Sequence, residues 1–99
     1  MIDGTYKVKL ETPLGVKPAA ITIRTQGNRV LGEIDAPIVG KQRVEGTLGP
    51  SDTFTARGTI RLMFAGKVDY ALYGKVVGDH LSVSIESNKG NVELVGTRI

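Results

Sequence analysis

The stretch Lys67-Val-Asp-Tyr-Ala-Leu-Tyr-Gly-Lys-Val-Val77, followed by Gly78-Asp79 and His80-Leu-Ser-Val-Ser-Ile-Glu86, reads as a β-hairpin. Val68, Tyr70, Leu72, Gly74 and Val76 alternate with Lys67, Asp69, Ala71, Tyr73 and Lys75; beyond the turn, Leu81, Val83 and Ile85 alternate with Ser82, Ser84 and Glu86. A period of two puts one apolar row on one face of a strand. Gly-Asp between two such runs suits a tight turn that needs positive φ.

The rest of the chain repeats this unit. Strand one covers Gly4 to Thr12 with Tyr6, Val8 and Leu10 inward, and strand two covers Lys17 to Gln26 with Ala19, Ile21 and Ile23 inward. Pro18 fits only the start of a strand or a bulge. Gly27-Asn28 turns into strand three, Arg29 to Ala36, and strand four runs Lys41 to Leu48 with Val44, Gly46 and Leu48 inward. Strand five, Thr53 to Leu62, precedes the hairpin, and strand eight runs Val92 to Ile99. No stretch reads as a helix. Sequential antiparallel strands with one apolar face bury it in two sheets or by closing on themselves, and closure also removes the edges. The expected fold is an all-β, eight-stranded antiparallel up-and-down barrel, with a β-sandwich as the alternative. Inward glycines at 32, 46, 58, 74 and 96 suit the sharp coiling of a narrow barrel.

Composition sets the class. With 99 residues, 40% hydrophobic and 23% charged, the chain is expected to form one folded domain. It has no cysteine, which excludes a disulfide framework, a thiolate metal site and a cysteine nucleophile. No apolar run reaches the length of a membrane span and no signal segment precedes the first strand, so a cytoplasmic protein is expected. The net charge of +3 is spread along the sequence without a basic stripe or stacking aromatics, so nucleic acid is not an expected partner.

The two poles of such a meander differ. Gly27-Asn28, Pro50-Ser51-Asp52 and Gly78-Asp79 are small and polar, whereas Pro13-Leu14-Gly15, Pro37-Ile38-Val39-Gly40 and Met63-Phe64-Ala65-Gly66 carry apolar side chains. The apolar pole reads as a portal to an internal cavity, a docking patch, or loops folded inward to cap the core. A constant offset of fifty-one residues pairs Gly15 with Gly66, Gly27 with Gly78 and Ile34 with Ile85, so the chain reads as two similar halves or as a regular meander with even turn spacing.

Candidate chemistry is sparse. His80 follows a tight turn in phase with outward Ser82 and Ser84, and no triad or metal spacing surrounds it. The carboxylates Glu11, Asp35, Asp69 and Glu86 are in outward phase. Arg98 continues the inward row of strand eight, placing it either as a bidentate partner for a ligand carboxylate or as a plug near Tyr6 at the polar-turn pole. Leu31, Ala71, Tyr73, Val77 and Val95 make part of the outer wall apolar, and a homodimer through strands six to eight is one expectation.

The Glu11-Thr-Pro-Leu-Gly15 and Asp35-Ala-Pro-Ile-Val-Gly40 segments, the Gly-Asn and Gly-Asp hairpins and the closing Gly96-Thr-Arg-Ile99 resemble small bacterial lipocalin-like (calycin-like) barrel proteins. That resemblance implies a small hydrophobic molecule held in the barrel, with Arg98 as the last-strand arginine near one end. The lipocalin Gly-X-Trp signature is missing, since the chain has no tryptophan. The expected function is non-catalytic binding of a small apolar or aromatic molecule, lined by Leu10, Ile34, Leu62, Phe64, Tyr70 and Ile85, with Arg98 as the polar contact and no cofactor. The alternative is a filled barrel acting as an interaction or oligomerisation module. An enzyme that only shapes and desolvates its substrate needs no titratable constellation, and the sequence offers no positive sign of one.

Overall fold

The alternating rows form eight antiparallel strands in sequence order, and the last pairs with the first. They are β1 (Gly4–Thr12), β2 (Gly15–Gln26), β3 (Arg29–Ala36), β4 (Gly40–Leu48), β5 (Thr53–Leu62), β6 (Gly66–Val77), β7 (His80–Ser87) and β8 (Gly90–Arg98). The computed structural model describes residues 2–12, 15–36, 40–62 and 66–99, with the side chains of Glu11, Thr12 and Leu62 excepted. The expected closed barrel is therefore the fold, and the sandwich is not.

Turn chemistry sets the register. Gly27 and Gly78 have φ of 59° and 60°, and glycine at the first central position is what a two-residue type II′ hairpin demands. Ser51 and Asp52 also take positive φ, in a turn held by Thr53 N–H and Oγ1, both donating to the Pro50 carbonyl. One expected boundary shifts. β2 starts at Gly15, so Pro18 lies inside the strand, opposite Lys9 of β1. The β3 pairing of β2 begins only at Ala20, which leaves the Pro18 stretch as an edge where a missing N–H costs no ladder bond.

The barrel is built from two matched sheets. Strands of 9, 12, 8 and 9 residues form the first half, and strands of 10, 12, 8 and 9 form the second. Within each half, neighbouring strands pair over seven to ten residues. The two seams between halves are much shorter. β4 meets β5 only at Gly46↔Ala56, Thr47↔Thr55 and Leu48↔Phe54, and β8 meets β1 only from Tyr6↔Arg98 to Lys9↔Val95. Both seams lie at the polar-turn pole. Towards the other pole, residues 40–45 of β4 and 57–62 of β5 run without pairing to each other.

Glycine makes both seams close. A Cβ on Gly46 would overlap the Thr55 carbonyl oxygen and approach Ala56, and one on Gly96 would overlap the Lys7 carbonyl oxygen and Val8. The core follows the same gradient from pole to pole. The best-buried large side chains, Tyr6, Ile2, Ile23, Leu81 and Val8, cluster at the sealed end. Leu10, Ile34, Val44, Tyr70 and Ile85, near the other end, are only partly buried.

Gly46→Ala and Gly96→Ala should each cost about 1–3 kcal/mol by overpacking against backbone. Gly32→Ala, whose Cβ would meet its nearest neighbour at 3.8 Å, should stay within about 1 kcal/mol of wild type. Urea unfolding of the three variants checks this; equal effects at all three would remove the seams as the tight points of the barrel.

Candidate functional site

The splayed pole holds a half-open cavity of about 300 Å³, with walls from β1 and from β3 to β8. The inward rows supply its lining: Leu10 from β1, Ile34 and Ala36 from β3, Val44 from β4, Ile60 from β5, Val68, Tyr70 and Leu72 from β6, Ile85 from β7, and Val92 and Leu94 from β8. A short void of about 30 Å³ lies below, where Phe54 and Ile23 fill the barrel. Polar groups are few and sit towards the rim: Gln42, Ser87, Lys89 and Asn91. Ligand pockets start near this volume, and about half of it admits benzene when the walls are apolar.

Tyr70 is placed by a missing side chain. Its ring and hydroxyl lie over Gly58, where an added Cβ would come within 2.8 Å of Oη. Gly58 is itself exposed, beside the unpaired stretch between β4 and β5. Burial pushes the Tyr70 phenol above its ordinary value, so the hydroxyl stays protonated at neutral pH and can donate or accept a hydrogen bond.

Four of the expected lining residues, Leu10, Ile34, Tyr70 and Ile85, converge on the cavity. The Leu62 side chain and Phe64 lie outside the described residues, as do the apolar turn residues 13–14, 37–39 and 63–65. Ala36, Val44, Ile60, Val68, Leu72, Val92 and Leu94 line it as well, and all of them stand in the inward rows or in phase with them. Their place in the inward rows, towards the end of the barrel opposite the Gly27-Asn28 and Gly78-Asp79 turns, is the signal that marks them.

Arg98 stands apart from the cavity, at the sealed pole. Its Nη2 donates to the Tyr6 hydroxyl at 2.7 Å, its guanidinium lies 5.2 Å from the Tyr6 ring centroid, and Nη1 is 3.4 Å from Asp79 Oδ1. Tyr6 in turn donates to the Ile2 carbonyl at 2.8 Å. This chain of bonds folds Ile2 under the barrel, where it is almost wholly buried. Ile2 precedes β1 but continues the phase of its inward row, two places before Gly4. Asp3 completes the tie: its Oδ2 accepts from Thr25 N–H at 2.9 Å and its Oδ1 from Thr25 Oγ1 at 2.7 Å. Those hydrogen bonds hold the Asp3 carboxyl below the usual carboxylate range.

The outer wall is mostly charged and polar, with Tyr73, Val77 and Val95 standing exposed on β6 and β8. Lys75, Ser82 and Ser84 lie between them. His80 is exposed, and Asp79 beside it faces Arg98. Among the described residues no group of three metal-ligating side chains is assembled, and no helix is long and apolar enough to cross a membrane. The wall itself argues against lipid contact, since a membrane barrel turns an apolar band outward and this one turns Lys7, Lys9, Arg24, Arg43 and Arg57 outward.

A solved structure of a redesigned β-barrel is similar to this chain, with a TM-score of 0.67 and 12% identity over 99% of this chain and 91% of that one. At that identity the likeness bears on the barrel fold alone. No family model and no curated protein matches the sequence.

Because the Asp3 carboxyl is held low in the folded state, its tie to Thr25 stabilises the barrel above the unfolded carboxyl pKa and is lost as pH falls through the folded one. Wild type should therefore lose stability below about pH 4. Asp3→Asn should be less stable at pH 7 and lose less on acidification. Urea midpoints at pH 7 and pH 3 measure both; an equal acid-induced loss in the two proteins would rule the tie out.

Proposed function

We propose that the protein is a non-catalytic binder of one small, largely apolar molecule, held inside the splayed pole of the barrel. The observation that carries this reading is the cavity of about 300 Å³ whose wall is formed by aliphatic side chains and Tyr70. A core of this size packs to high density when nothing is to be bound, because each unfilled volume forfeits dispersion contacts. Here the barrel below the cavity keeps a void of only about 30 Å³, and the large cavity lies at one end. This mode of binding would place the chain beside the lipocalin-like barrels, with the difference that Arg98 serves the sealed pole and the ligand is oriented by Tyr70 and the rim amides.

The neutral fluorophore N-phenyl-1-naphthylamine tests the cavity. Its fluorescence should rise saturably at one molecule per chain, and Ile85→Trp, which fills the cavity from β7, should weaken binding more than about tenfold while the β circular dichroism is kept. A second filling variant, Leu10→Trp from β1, guards against a local misfold. Probe binding that survives both substitutions, or is absent in wild type, would sink the reading.

The second reading, self-association through the outer wall of β6 to β8, rests on Tyr73, Val77 and Val95, exposed by 51%, 61% and 64%. Lys75 and the serines of β7 break these into separate spots, which is why the cavity is preferred. If the wall does associate, sedimentation equilibrium should show a dimer that Val95→Lys returns to monomer; a wild-type monomer at high concentration removes this reading.

A further inference from the structure

We infer that the upper end of the β4–β5 seam is an anion site, and that the cavity's ligand is a single-tailed amphiphile whose acidic head rests there. The inference depends on the binding function proposed above and adds the class of ligand and the place of its head. Arg61 of β5 and Lys67 of β6 are direct cross-strand partners, both pointing outward and both exposed. Like charges directly opposite on a sheet repel. One step along the same two strands, Ile60 and Val68 are partners that face inward and line the cavity. A cationic pair thus sits on the rim directly behind an apolar wall.

Lys41 brings a third cation from the other side of the seam. Carrying the Gly46↔Ala56 register upward would set Lys41 opposite Arg61, but the strands do not pair there and the edge between them stays open. Two carboxylates stand beside these positions on the same strands or their partners. Asp69 accepts from Thr59 Oγ1 at 2.7 Å, and Asp35 is the β3 partner of Lys41 without an ion pair to it. Among the described residues no carboxylate lies within ion-pair distance of Lys41, Arg61 or Lys67. An anion placed between them would offset the repulsion and gain charge-assisted hydrogen bonds.

The matched half of the barrel supplies the control. Matched by their strand pairings, with β2 and β6 or β3 and β7 offset by 51 residues and β1 and β5 or β4 and β8 by 50, the Arg61–Lys67 pair corresponds to Glu11 and Val16, which are partners in β1 and β2, and Lys41 corresponds to Asn91 of β8. At those three matched positions the second seam carries no cation, although Lys7 and Lys9 stand where it pairs. The cluster is therefore a property of this seam and not of the architecture.

Competition against bound N-phenyl-1-naphthylamine separates head from tail. Decanoate should displace the probe at lower concentration than decanol or decyltrimethylammonium, which share its tail, and its advantage should shrink in high salt. The double variant Arg61→Gln/Lys67→Gln should weaken decanoate about threefold to tenfold and leave decanol unchanged, while Arg24→Gln, exposed on the outer wall of β2 away from the cavity, should alter neither. Without ligand, the double variant should melt no lower than wild type, since repulsion has been removed. Equal competition by the three heads, a decanoate affinity unmoved by the double variant, or a loss that follows Arg24→Gln instead would overturn the seam site while leaving the cavity reading in place. Failure of the neutral probe to bind wild type would overturn both.

Discussion

Everything distinctive in this barrel depends on where its two halves touch. Each half is a well-paired four-stranded sheet, and the halves meet only along two short seams at one pole, at Gly46 and Gly96. A side chain at either glycine would hold the strands apart at the one place where they must join. With the seams zipped, the right-handed coiling of each sheet carries the free ends away from each other. The sealed end is narrow enough for Tyr6, Ile2 and Leu81 to fill it, and the other end is left too wide for its own side chains.

This division of labour has an energetic consequence. The unpaired stretches of β4 and β5 give up ladder hydrogen bonds to solvent, and the cavity gives up dispersion contacts. Compensation is concentrated at the other pole. The Asp3–Thr25 bonds, the Tyr6–Ile2 bond and the Arg98 guanidinium over Tyr6 tie both chain ends to the barrel floor, and Asn28, Asp52 and Asp79 carbonyls accept from Leu48, Val76 and Arg98 in the next strands. A binding protein built this way keeps its site away from the elements that hold it folded, so ligand entry need not disturb the sealed end.

The strands, turns and inward rows were legible in the sequence because each depends on local chemistry: a period of two, and Gly-Asn or Gly-Asp where a hairpin needs positive φ. The difference between the poles was legible too, through the polarity of alternate turns. What could not be read was non-local. Whether the β4–β5 ladder runs the length of both strands is decided by the coiling of two sheets, and no residue from Lys41 to Glu45 or Arg57 to Arg61 signals that it stops. Ile2 continues the inward phase of β1, but its place under the barrel comes from the Tyr6 hydroxyl reaching back to its carbonyl. Arg98 stood in the correct row, but its role depended on the pole at which that row ends. The glycines at 46 and 96 read as inward and suited to sharp coiling, but not as the points where the seams close, since close approach is a relation between strands and not a property of one.

The matched halves also separate what the fold requires from what it leaves free. Positions that recur at equivalent places, such as Gly27 and Gly78 in the turns or Gly46 and Gly96 in the seams, answer demands that any barrel of this construction makes. Positions that differ between equivalent places answer something else. Phe54 fills the barrel beneath the cavity, packed over Gly74 so that no side chain there is tolerated, and Tyr70 lies over Gly58 at the open edge. Lys41, Arg61 and Lys67 gather at the splayed end of one seam, where the matched positions of the other are Asn91, Glu11 and Val16. Two copies of one scaffold with unlike seams give the pole an orientation, and an oriented apolar cavity distinguishes the two ends of whatever enters it.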